Sequence, residues 1–154
     1  MLQTVSVVFF TETWRPQSFY DKIVANKKQQ LHTLCLLDIK VKEPTLESLA
    51  RGKPVYEAPR YMTIHTCIEQ LLEIELERKE GVTTAQSLCV GVARMGAVEG
   101  DQKQLMVSGT MDELLKVDFG GPLHSFVVCG DVDEFEKQML DLIGVQQLQA
   151  AGKL

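Results

Sequence analysis

Two glycine-bearing turns, Val92-Ala93-Arg94-Met95-Gly96 and Gly120-Gly121-Pro122-Leu123-His124-Ser125, each abut an apolar run with the character of a strand. That pairing suits ligand binding, because strand ends frame a crevice and glycine lets main chain approach a ligand that a β-carbon would push away. Neither segment is a strong motif alone: Gly-Pro after polar residues is an ordinary turn signal, and a lone histidine is most often structural. No Ser-His-Asp order, H-E-x-x-H or phosphate loop occurs, so hydrolase and nucleoside-triphosphate chemistry find no carrier. Cys35, Cys67, Cys89 and Cys129 are widely spaced without a C-x-x-C pair. Three of them lie in apolar runs, where a reduced thiol behaves as a small buried hydrophobe, and no metal site is expected.

The elements that must position these turns alternate. Thr4 to Phe10 is β-branched and aromatic and reads as a buried strand; Pro16 or Ser18 opens a helix to about Lys28; His32 to Ile39 is a second, doubly covered strand. Lys40 to Arg60 is an irregular excursion, interrupted by Pro44, Gly52, Pro54 and Pro59, with one short helical candidate at Leu46 to Arg51. Thr63 caps a helix to about Lys79 whose stripe is Ile64, Cys67, Ile68, Leu71 and Leu72, with Glu69, Glu73, Glu77 and the pair Glu75 and Lys79 on the far face. Gly81 is the expected stop. Strands follow at Ser87 to Arg94, Gln104 to Ser108 and Ser125 to Cys129, with a brief helix at Met111 to Lys116. Asp131 with Glu134 reads as a capping box opening a last amphipathic helix along Val132, Phe135, Met139, Leu142 and Ile143, ended by Gly144. A frayed or weakly docked tail is expected beyond.

The bulk composition bounds the rest. The chain has 154 residues, 45% of them hydrophobic, enough for one compact domain. Its net charge of −5 argues against an electrostatic nucleic-acid binder. The opening residues lack the basic start of a signal peptide, and no apolar run approaches the ~20 residues that span a bilayer, which predicts a cytoplasmic protein with no membrane contact. The alternation predicts an α/β fold, a mixed sheet of about five strands flanked by helices.

Read together, TWRPQSFYDKI, HTLCLLDIKVKEPTLESLARG, VYEAPRYM, LCVGVARMG and GPLHS resemble the C-terminal half of the diphthine synthase family, within the tetrapyrrole methylase-like superfamily. The resemblance is nearly collinear from Thr4 to about Gly144. It implies a transferase, an S-adenosyl-L-methionine-dependent methyltransferase of diphthamide biosynthesis, acting as a homodimer on the modified histidine of translation elongation factor 2. Two α/β domains hold the donor between them in that family. Residues 1–144 would be the second domain, 145–154 a tail, and the N-terminal donor-binding domain would be missing from this chain.

Carried over position by position, the resemblance places Leu37, Met95 and His124 at the donor, Leu37 and Met95 as apolar walls and His124 bonding through ring or main chain. Main chain beside Gly96 and Gly121 would supply close hydrogen bonds. No catalytic residue is assigned, since methyl transfer from a sulfonium depends mainly on alignment. With one wall absent, the isolated chain is expected to be inactive. The alternative is a non-enzymatic dimerisation or partner-docking module.

Overall fold

A row of side chains crosses the whole main sheet: Val5, Cys35, Phe126, Gly91 and Val107 are successive register partners, and all are buried. The strands carrying them are β1 (Leu2–Val7), β2 (His32–Leu37), β7 (His124–Val128), β5 (Leu88–Ala93) and β6 (Leu105–Thr110), in that spatial order. The structure is a computed structural model describing residues 1–154. Strands β1 and β2 are parallel, joined through helix α1 (Ser18–Lys28) as a βαβ unit, and the other pairings are antiparallel. The expected five-stranded mixed α/β sheet is therefore present.

Helices α1 and α3 (Ile64–Arg78) cover one face through Tyr20, Ile23, Ile64, Cys67, Ile68 and Leu71. Each aliphatic side chain fully buried there contributes ~1.5–3 kcal/mol, which makes this layer the main source of stability. At Gly91 an added β-carbon would lie 2.4 Å from the Phe119 ring, so the gap in the row is filled by a side chain from the histidine turn. Helix α5 (Glu134–Leu142) lies on the opposite face over Val90, Val92 and Cys129. The remaining elements are α2 (Leu46–Ala50), α4 (Met111–Leu114), α6 (Val145–Ala150) and the two-stranded β3 (Ile39–Lys40) and β4 (Arg60–Tyr61). No helix is long and apolar enough to cross a membrane.

Several local expectations are corrected. The first strand is Leu2–Val7 because the chain leaves the sheet after Val7: the Phe9 N–H donates to Asp38 and the Phe10 N–H to Gln70. Lys79, not Gly81, ends α3, in the left-handed region at φ 53°. Glu75 is not on the exposed face. It accepts from the Tyr20 hydroxyl at 2.7 Å and from the main-chain N–H groups of Gly81, Val82 and Thr83. The capping box of the last long helix is Asp133 with Glu136, two residues later than expected, since Asp133 is the residue whose extended backbone aims its carboxylate at the Glu136 N–H. That helix leaves Phe135, Met139 and Leu142 exposed. The tail is docked, with Val145 and Leu148 of α6 buried against the core. All four cysteines are free and buried.

Candidate functional site

Because β2 and β5 both run antiparallel to β7, the C-terminal ends of β2 and β5 meet the start of β7 at one edge of the sheet. A cavity of about 530 Å³ opens there. Its volume falls within the ~300–1,000 Å³ typical of small-molecule sites. Leu37, Met95 and His124, which come from three distant parts of the chain, all line it. Leu37 ends β2, Met95 follows β5 with 68% of its surface exposed, and His124 opens β7.

The wall owes its shape to side chains bonded to main chain. Arg94 takes φ 53° directly after β5, which turns its guanidinium back under the loops. Nη1 donates to the Phe119 and Gly121 carbonyls at 2.6 and 2.5 Å, and Nε donates to the Lys103 carbonyl at 3.0 Å. Gln102 accepts from the Gly121 N–H at 2.8 Å, and Gln104 accepts from the Gly96 N–H at 2.7 Å. The three Arg94 bonds come from a charged donor and are about twice as strong as the neutral glutamine ones.

The His124 ring is used in the same way. Its Nε2 lies 3.1 and 3.0 Å from the Gly120 and Gly121 carbonyls, and its Nδ1 accepts from the Ile64 N–H at 3.3 Å. Two acceptors at Nε2 and a donor at Nδ1 define the neutral tautomer protonated on Nε2. Burial pushes the imidazole pKa down and outweighs the two carbonyl bonds, with Arg94 adding to the depression.

These contacts revise two details of the expected site. The N–H groups of Gly96 and Gly121 already have partners in Gln104 and Gln102. Both nitrogens of His124 are likewise engaged, so neither is free to bond a ligand. Asp38, Ile39, Tyr61 and Met62 also line the cavity and were not singled out by the sequence. Asp38 follows Leu37 in the DI of HTLCLLDI, and an acid at the end of an apolar strand is the signal that could have found it. Nothing in the local sequence signals the Arg94 clamp, whose three acceptors lie 9 to 27 positions away. No group of histidine, cysteine or acidic residues is arranged to hold a metal ion.

A mixed five-stranded sheet with a ligand-sized cavity at the strand ends is an α/β domain with a candidate small-molecule site, and comparison with known proteins narrows it. No family model matches the chain. The diphthine methyl ester synthase of Dictyostelium discoideum is 53% identical over 145 residues, 94% of this chain and 52% of that protein. The Homo sapiens diphthine methyl ester synthase is 46% identical over 150 residues, 94% of this chain and 51% of its own length. A crystal structure from Entamoeba histolytica, assigned as a diphthine synthase, superposes with TM-score 0.78 at 44% identity, covering 92% of this chain and 50% of that one. Over the residues they share, the chain belongs to the diphthine synthase family. It spans about half the length of the curated relatives it matches.

Proposed function

We propose that these residues form one wall of the S-adenosyl-L-methionine site of a diphthine synthase-type methyltransferase, and that the whole enzyme methylates the modified histidine of translation elongation factor 2 in diphthamide biosynthesis. Residues 1–144 correspond on this reading to the C-terminal domain, with 145–154 as its tail. The carrying observation is convergence: Leu37, Met95 and His124, named for one donor pocket, line one cavity. The kinship with diphthine methyl ester synthases supplies the substrate class.

The chemistry of the lining fits the donor. Leu37, Ile39, Met62 and Met95 offer apolar surface for a flat adenine, and the Asp38 carboxylate is an acceptor for polar hydrogens. When bound, the group supplies a methyl carried on a sulfonium. The chain's own part is orientation: Arg94, Gln102, Gln104 and His124 hold both turns rigid, and alignment is the main lever for such an in-line displacement. Neither nitrogen of His124 is free to take a proton, which agrees with a reaction that assigns no general base to this wall. Residence in the cytoplasm follows from the acceptor.

Calorimetric titration with S-adenosyl-L-methionine tests the reading. The other wall lies outside these residues, and a loss of ~3 kcal/mol weakens affinity more than about a hundredfold, so the 154-residue chain should bind weakly and transfer no methyl group. Micromolar binding by the chain alone overturns that incapacity. In the enzyme joined to its other half, Leu37→Arg should abolish donor binding, and unchanged affinity overturns the site.

A second reading, a dimerisation module, is favoured by the outward face of α5, where Phe135 is 80% exposed beside Met139 and Leu142. It also accords with the homodimer the family resemblance implies. A strictly monomeric particle in light scattering counts against it.

A further inference from the structure

Residues 39–61 form an arm that carries its own hydrogen bonds and almost no core. Its base is the β3–β4 ladder, Ile39 opposite Tyr61 and Lys40 opposite Arg60, continued by the Met62 N–H donating to the Asp38 carbonyl. Farther out, Pro44 pairs with Tyr56, the Glu57 N–H donates to Glu43, and the Thr45 N–H donates to Val55. Helix α2 forms the tip, capped by the Thr45 hydroxyl and pinned by the Ser48 hydroxyl, which donates to the Thr45 and Val55 carbonyls. Ser48 is the arm's buried residue.

What the arm displays is apolar. Leu46 is 86% exposed, Leu49 59%, Val55 63% and Tyr56 57%. Leu46 and Leu49 stand three apart in α2 and so share one helical face. Among them sit Lys42, Arg51 and Lys53, exposed and without an ion-pair partner. The arm as a whole has five cations against three carboxylates in a chain of net charge −5, so its sign is opposite to that of the body. A surface of aliphatic, Tyr, Arg and Lys groups fits a partner protein face that is apolar with acidic margins.

The root of the arm says which partner. Ile39 and Tyr61, the two residues at its base, are also lining residues of the cavity. A cavity of about 530 Å³ admits a small molecule and one acceptor side chain, not a folded protein. A macromolecular acceptor must therefore be gripped outside the cavity, beside its mouth.

We propose that the 39–61 arm is the docking surface for the protein acceptor, seating a folded acidic-apolar face so that the residue to be methylated reaches the cavity. The proposal rests on the methyltransferase reading above and assigns the acceptor grip to Leu46, Leu49, Arg51 and Lys53. A second copy of this chain is the competing occupant.

The test compares the enzyme joined to its other half with two arm variants of it, Leu46→Ser/Leu49→Ser and Arg51→Glu/Lys53→Glu, in binding to purified elongation factor 2 carrying the unmethylated precursor. Donor titration, light scattering and thermal melting are run on the same samples. All of these side chains are exposed, so melting should not move. The expected result is acceptor binding by the unsubstituted enzyme, weakened at least about tenfold in both variants, with donor binding unchanged. Equal acceptor binding by the variants overturns the arm while leaving the methyltransferase reading intact. Failure of the unsubstituted enzyme to bind the acceptor also overturns it, and donor titration of that enzyme then shows whether the wider reading falls too. A dimer abolished by the arm substitutions assigns the surface to a second copy and overturns the proposal.

Discussion

The two ends of α3 are each tied down by a titratable side chain that captures main chain, yet one tie belongs to the core and the other to the cavity. At the C-terminal end, Glu75 collects the Tyr20 hydroxyl and the N–H groups of Gly81, Val82 and Thr83. A carboxylate is acceptor-only, so four donors suit its ionised form. Desolvation raises its pKa, but the Tyr20 bond and the three N–H groups prevail and hold it down at about 2. At the N-terminal end, His124 joins the Ile64 N–H to the carbonyls of Gly120 and Gly121, which requires one donor and one acceptor and therefore a neutral ring. Burial accordingly lowers its pKa. Matching a buried anion to donors alone gives strength, whereas matching an imidazole to both kinds of group gives a fixed orientation at the cavity wall.

The largest break in this comparison is Glu75→Ala. It leaves the Tyr20 hydroxyl and three N–H groups short of an acceptor, and hydrogen bonds to a charged group are each worth ~1.5–3 kcal/mol, so urea denaturation should show a loss of ~3–5 kcal/mol. Donor affinity in the joined enzyme should change far less than stability. The acid limb sharpens the same point. The folded carboxyl has the lower pKa, so its stabilisation is complete above the ordinary carboxylate range and is lost as pH falls from about 4.5 toward 2. Unfolding measured at pH 5 and pH 2.5 should differ by ~2 kcal/mol from this group in the unsubstituted chain, and the difference should shrink in Glu75→Gln.

Gly91→Ala acts midway between the two ends. A β-carbon there would meet the Phe119 ring at 2.4 and 2.6 Å and Ile64 at 3.1 Å, so the ring and the turn after it must shift. Overpacking of this kind costs ~1–3 kcal/mol, and the displaced wall should also weaken donor binding. His124→Gln should cost only ~1 kcal/mol in stability, since its bonds are to uncharged groups, while lowering donor affinity more than Glu75→Gln does. Protonating His124 places a hydrogen on Nδ1 against the Ile64 N–H. Because its folded pKa lies below the ordinary imidazole value, this contribution is intact above about pH 6.5 and declines below it. Equal effects of the Glu75 and His124 substitutions on donor binding would erase the distinction between the two ends. The smallest effect is expected from Lys137→Ala, which removes an exposed pair with Asp141 on α5 and should move stability by no more than ~0.5 kcal/mol.

Much of the architecture was legible along the chain. Thr63 as a cap, the Ile64–Cys67–Ile68–Leu71 stripe and the short helix from Leu46 all stand where periodicity and capping chemistry put them, and of the two openings offered for α1, Pro16 and Ser18, the helix begins at Ser18. Boundaries were harder. The Thr4 to Phe10 run gave no sign that Asp38 and Gln70 would draw Phe9 and Phe10 out of the sheet, because those partners are 29 and 60 positions away. Glu75 looked like one more solvated acid beside Glu73 and Glu77. Its burial depends on the fold of Gly81 to Thr83 around it, a contact that helical periodicity does not encode.

Sequence alone set the types of the main strands and helices and the apolar stripes and, through resemblance, singled out Leu37, Met95 and His124, since all of these rest on local propensity or on the order of residues. Tertiary structure alone decided that those three share one cavity, that Arg94 and His124 spend their polar atoms on its loops, and that the 39–61 arm stands clear of the core. The physical reason is that hydrogen-bond partners and solvent exposure depend on what the chain brings back from far away, while helices, strands and caps are set by near neighbours.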